Sequence, residues 1–118
     1  MSMTVLIVDD HPSFRASART LLEAEGYEVV GEAENGVAAV EAAAKLHPDL
    51  VLLDVQLPDL DGFQVANRLR KLADPPAVVL TSSRDGADYG SCIGECGAHG
   101  FVPKAELSGA AIAALFVA

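Results

Sequence analysis

The residues best suited to chemistry stand at the ends of apolar runs. Asp9 and Asp10 follow "VLIV", Asp54 follows "LVLL", Thr81 and Ser82 follow "AVVL", and Lys104 follows "GFVP". Carboxylates brought close together repel one another unless a cation lies among them. An all-oxygen set of this kind suits a hard ion: Mg²⁺ keeps several waters and needs only a partial protein shell. Lys104 would offset the charge that remains. A carboxylate not fully used by the metal can attack phosphorus as a nucleophile, with the metal bridging it to the incoming phosphoryl group. All of this requires that the folded chain bring those run ends together.

The alternation of these runs with longer segments supplies such a frame. "TVLIVDD" predicts a strand, and residues 12–26 predict a helix with Pro12 in its first turn and Gly26 at its stop. "YEVVGEAENG" reads as strand and turn, "VAAVEAAAKLH" as a helix closed by Pro48, and "DLVLLD" as a strand. After the loop "QLPDLDG", the segment "FQVANRLRKLA" has helical spacing that turns Phe63, Val65, Ala66 and Leu69 toward a core. "PPAVVLTSS" is a further strand. Residues 84–100 carry Gly86, Gly90, Gly94 and Gly97, and each interior glycine costs a helix about 1 kcal/mol. "GFVPK" is a last strand and "ELSGAAIAALFVA" a last amphipathic helix, running to the chain's end. Strand and helix thus alternate five times. Strands separated this way pair in parallel through right-handed crossovers. The expected architecture is a doubly wound α/β sandwich, one domain over residues 1–118. In a parallel sheet the C-terminal strand ends share one edge, where ligands bind in open α/β sheets.

The rest of the chain narrows the function. A net charge of −9 argues against a nucleic-acid-binding surface, which needs clustered Lys and Arg. It suits a domain that takes up a cation or a basic partner. No apolar run is long enough to span a bilayer, and "MSMTV" lacks the features of a signal peptide, so a cytoplasmic location without membrane contact is expected. Cys92 and Cys96 have no neighbouring Cys or His to complete a zinc set and read as small apolar side chains. His11, His47 and His99 are expected at the surface or at caps. Asp59 and Asp61 are expected to cap turns or helices. Capping gives no reason, however, for Asp9, Asp10, Asp54 and Lys104 to share an edge.

Taken in order and spacing, "VLIVDDHPSFR", "VGEAENG", "PDLVLLDVQLPDLDGF", "VVLTSS" and "GFVPK" resemble the receiver domain of two-component response regulators. The resemblance covers essentially the whole chain and implies the flavodoxin-like (βα)5 fold, a parallel five-stranded sheet in order 2-1-3-4-5. It implies that Asp54 is the phosphoacceptor, taking a phosphoryl group from the phosphohistidine of a histidine kinase or histidine phosphotransfer protein. It implies Asp10, Asp54 and the backbone carbonyl of Gln56 as direct Mg²⁺ ligands, with Asp9 acting mainly through water. Lys104 would hold a phosphoryl oxygen, Thr81 would move toward the phosphoryl group, and Phe101 stands at the aromatic switch position. Ser82 competes with Thr81: it gives the interval to Lys104 usual in the family, whereas Thr81 directly ends the apolar run. Ala105 follows Lys104 where many members have proline, so no cis bond is expected there.

The function expected from this resemblance is a phosphorylation switch acting on the face built from the fourth helix, fifth strand and fifth helix. The resemblance implies that the domain would promote its own phosphotransfer and dephosphorylation without being a turnover enzyme on an external substrate. It would stand alone or form the N-terminal part of a longer, DNA-binding regulator, with room for a phosphorylation-dependent homodimer. The alternative is a phosphorylation-independent binding module on the same scaffold, which would need none of the acidic set. A metal-dependent hydrolase would want an acid/base two residues after the nucleophile, where the amide of Gln56 cannot shuttle a proton.

Overall fold

The structure, a computed structural model, describes residues 3–83, 89 and 92–116. The apolar runs form five parallel strands: β1 (Thr4–Val8), β2 (Glu28–Ala33), β3 (Leu50–Asp54), β4 (Ala77–Ser82) and β5 (Gly100–Pro103). Their order in the sheet is β2-β1-β3-β4-β5, as expected. Between and after them lie α1 (Pro12–Ala24), α2 (Gly36–Leu46), α3 (Gly62–Leu69), α4 (Cys92–Glu95) and α5 (Gly109–Ala114).

The run-like strands reflect burial on both faces, as helices cover each side of a parallel sheet. Every residue of β3 is buried. Alternate side chains feed two separate cores. Leu6, Val8, Val51, Leu53, Val78 and Leu80 pack with Val65, Ala66 and Leu69 of α3 and Ala39 and Ala43 of α2. Val5, Ile7, Leu50, Leu52, Val79 and Val102 pack with Ala18 and Leu22 of α1 and Ile112 of α5. Burying a single Leu or Ile in this way stabilises by roughly 1.5–3 kcal/mol.

Helix boundaries depart from expectation where local hydrogen bonds end the helix early. α1 stops at Ala24, and Gly26 follows at φ 95, a left-handed turn that suits glycine. α3 stops at Leu69, because Lys71 and Leu72 donate to the carbonyls of Arg68 and Leu69 in tighter turns. The last helix begins later than the pattern suggests. Lys104–Glu106 form a 3-10 turn, and the Ser108 hydroxyl accepts from the Ala111 N–H at 2.9 Å to start α5. Among the described residues of the glycine-rich segment, Cys92–Glu95 form α4 and Gly100 opens β5, and much of the segment lies outside the described residues.

Candidate functional site

Register and alternation bring four of the six strand-end groups to one face of the sheet. Asp54 pairs with Thr81 across β3 and β4, and Val8 pairs with Leu53, which sets Asp9 beside Asp54. Asp9 continues the series Val5, Ile7; Asp54 continues Leu50, Leu52; Thr81 continues Val79. All three therefore belong to the α1/α5 face. Lys104 stands two residues beyond Val102, on the same face. Its ammonium is 2.5 Å from Asp9 Oδ2 and 3.5 Å from Asp54 Oδ2. It also lies over the Phe14 ring, 4.5 Å from the centroid, where the π face adds to its stabilisation.

Burial makes this arrangement electrostatically tense. Asp9 and Thr81 are fully buried and Asp54 is 3% exposed. Burial pushes the Asp54 carboxyl up to about 6, and the nearby charge of Asp9 adds to the shift. The Gln56 N–H, donating to Asp54 Oδ1 at 3.2 Å, and the Lys104 ammonium pull it partly back. One ammonium thus serves two buried carboxylates. Asp10 lies beyond the end of β1, where alternation no longer dictates direction. Ligand atoms of Asp9, Asp10, His11 and Asp54 all lie within 4.8 Å of one another, a group that could hold a metal ion.

Two features that position the site were not read from the sequence. The first is the anchoring of the turn after β1. Arg15 Nη1 donates to the Asp9 carbonyl at 2.6 Å, while Arg15 Nε and Arg19 Nε bind the two oxygens of Glu32 at 3.1 and 2.9 Å. The second is Gly62, the first residue of α3. A Cβ there would lie 2.6 Å from the Asp54 carbonyl oxygen and 2.8 Å from Val55 Cα. Its N–H donates to the Val55 carbonyl at 2.7 Å. Glycine lets α3 begin directly against the backbone of Asp54. The "DG" in "PDLDG" was the available signal, and it read only as a loop.

The two hydroxyls after "AVVL" part company. β4 runs through Ser82, so the end of the apolar run does not distinguish them. Thr81 shares the face of Asp54, and its hydroxyl has no hydrogen-bond partner among the described residues. Ser82 points the other way and bonds the Tyr89 hydroxyl at 2.7 Å. Tyr89 in turn packs 5.6 Å from Phe63 and 5.7 Å from Phe101, ring centre to ring centre. Phe101 therefore lies on the face opposite Asp54. Gln56 pairs with Asp61 in an isolated bridge.

The remaining polar candidates separate cleanly. Asp61 forms a capping box with Gln64 at the start of α3. Asp59 instead reaches across to α2, accepting from the Gly36 and Val37 N–H groups at 2.7 and 3.0 Å. Those donors hold its carboxyl below the usual carboxylate range. His47 is the C-cap of α2, and the exposed His99 stacks 5.3 Å from Phe116. His11 is the N-cap residue of α1 and its ring is mostly exposed, as expected, but the ring makes no side-chain cap bond and leans onto the acidic cluster. Cys96 is buried and free, with Sγ donating to the Ile93 carbonyl at 3.1 Å. The side chain of Cys92 lies outside the described residues.

Residues 5–115 match the response regulator receiver domain, and the chain belongs to that family. It is 42% identical over 102 residues to a putative transcriptional regulator of Pseudomonas aeruginosa, covering 86% of this chain and 49% of that protein. It is 36% identical over 113 residues to the DNA-binding transcriptional activator EvgA of Escherichia coli, covering 96% of this chain and 55% of that protein. The chain spans about half the length of the curated relatives it matches. Among solved structures, the signal receiver domain of the putative response regulator NarL from Mycobacterium tuberculosis superposes with a TM-score of 0.84 at 35% identity, over 97% of this chain and 96% of that one. The chain is therefore a receiver domain of the two-component type with the flavodoxin-like fold. No helix among the described residues is long and apolar enough to cross a membrane.

Proposed function

We propose that the domain accepts a phosphoryl group on Asp54 from the phosphohistidine of a histidine kinase or phosphotransfer protein. The observation that carries this reading is the buried Asp54 carboxylate, set beside Asp9 and Lys104, with the Thr81 hydroxyl in register and without a partner among the described residues. The carboxylate and carbonyl oxygens here fit a divalent cation of the Mg²⁺ type. Asp10, Asp54 and the Gln56 carbonyl would hold it directly, and Asp9 mainly through water. When bound, such an ion supplies positive charge against the negative charge gathered in phosphoryl transfer. Lys104 is already placed to bind a phosphoryl oxygen, because it shares the face of Asp54 and is tethered over Phe14. Thr81 can donate its hydroxyl to that group without breaking an existing bond.

The phosphorylated site then biases a two-state equilibrium in the face of α4, β5 and α5, with Phe101 as the aromatic element that follows Thr81. The names of the relatives as transcription regulators support a role as the receiver part of a longer, DNA-binding regulator in the cytoplasm. In that role residues 1–118 are one regulatory domain, which binds no nucleic acid itself, promotes its own phosphotransfer rather than turning over an external substrate, and pairs as a homodimer when phosphorylated. Incubation with acetyl phosphate and Mg²⁺, followed by intact mass and a Phos-tag gel, tests the chemistry. Wild type should gain one phosphoryl group and Asp54→Asn none. An equal adduct on Asp54→Asn, or none on the wild type, overturns it.

A further inference from the structure

His11 is the one member of the cluster that is not a carboxylate. Its Nδ1 lies 2.9 Å from Asp9 Oδ1 and 3.0 Å from Asp10 Oδ1, and its backbone N–H donates to Asp9 Oδ1 at 2.8 Å. Pro12 opens α1 immediately after it, which fixes the backbone from which the ring projects. The side chain is 64% exposed, so little packing holds the ring away from the cluster or against any other group. The Thr81 hydroxyl, fully buried on the face it shares with Asp54 and Asp9, has no partner among the described residues.

We propose that His11 is a nitrogen ligand of the divalent cation bound by Asp9, Asp10 and Asp54, giving the site a preference for borderline transition-metal ions that an all-oxygen set lacks. This rests on the reading that the acidic cluster binds a divalent cation. Carboxylate and water oxygens suit Mg²⁺, whereas imidazole suits Ni²⁺, Co²⁺ and Zn²⁺, which also lie higher in the intrinsic order of affinity. A site with one imidazole among carboxylates binds such ions more tightly while leaving Mg²⁺ little affected, because Mg²⁺ gains little from a nitrogen donor. The ion carried by the domain then depends on which metals are available to it, and not on the carboxylates alone.

Calorimetric titration of the 118-residue chain with MgCl₂ and with NiCl₂, in wild type and His11→Ala, tests the proposal. His11→Ala should weaken Ni²⁺ binding by about tenfold or more, as the loss of a group that ligates or orients a metal does. Mg²⁺ affinity should change less than about twofold. Pulsed EPR of the Cu²⁺-loaded wild type should show ¹⁴N coupling from a bound imidazole, absent in His11→Ala. If both ions bind but Ni²⁺ affinity and the ¹⁴N coupling survive the substitution, His11 is no ligand and the proposal fails while the metal site stands. Tighter Mg²⁺ and Ni²⁺ binding in His11→Ala likewise overturns it, showing a ring that competes with the ion. If the wild type binds neither ion, both the metal site and this inference fall.

Discussion

Thr81 and Ser82 are neighbours with the same functional group, yet they sit in opposite worlds. Thr81 faces the α1/α5 side, among two buried carboxylates and an ammonium, and its hydroxyl bonds to nothing among the described residues. Ser82 faces the α3/α4 side, among aromatic rings, and is tied to Tyr89 at 2.7 Å. One side of the sheet edge holds unsatisfied polarity, the other a satisfied hydrogen bond in apolar packing. Unsatisfied buried polar groups cost stability. Among the described residues they lie on the Asp54 side, where the fold gives up stability for chemistry.

The comparison is sharpest at Asp54. Burial and the nearby Asp9 charge push its carboxyl up to about 6 in the folded chain, from an ordinary value of 3.8. An acid whose pKa rises on folding makes the folded state bind its proton more tightly. Ionisation therefore costs stability: nothing below about pH 4, increasing through pH 6, and fully felt above it. In metal-free buffer Asp54→Asn should stabilise the domain at pH 7 by on the order of 2–3 kcal/mol. The gain should vanish toward pH 4 in urea melts at stepped pH. A stability difference that stays constant across that range would show that Asp54 is not strained by its charge.

On the other side, Ser82→Ala should cost about 1 kcal/mol, the net value of a buried neutral hydrogen bond plus the stranded Tyr89 hydroxyl. Thr81→Val gives the smallest effect: removal of a hydroxyl without a partner should leave stability unchanged or raise it by less than about 1 kcal/mol. Denaturant midpoints of the two variants, measured together, decide the matter. Equal losses would mean that the two hydroxyls are alike and that the contrast between the faces is not real.

Much of this site was legible in the residue order. The run-then-acid pattern at Asp9 and Asp54, and the run-then-lysine pattern at Lys104, mark strand ends because apolar runs of that length must be buried. The capping box at Asp61 was equally local, since a helix start needs an acceptor for its free N–H groups. Less local features escaped. Asp59 caps a helix, as expected of a turn or helix cap, but the sequence did not say which: it caps α2, more than twenty positions away. His11 lies at the surface as expected, but the contact of its ring with Asp9 and Asp10 was not read, because no spacing reveals how the chain turns after β1. The seating of the Lys104 ammonium over the Phe14 ring was likewise not readable, since it joins α1 to the end of β5.

The sequence by itself determined the five strand-helix units, the acidic character of the sheet edge and the identity of the groups that could serve there. These follow from periodicity and burial, which act over a few residues. It also determined that Thr81 and Ser82 must point to opposite faces, since strands alternate. Which of them meets Asp54 was decided by the tertiary structure. That choice depends on the register of β4 against β3. Register is set by how distant side chains interlock in two cores at once, and a slip of one residue would exchange the two hydroxyls.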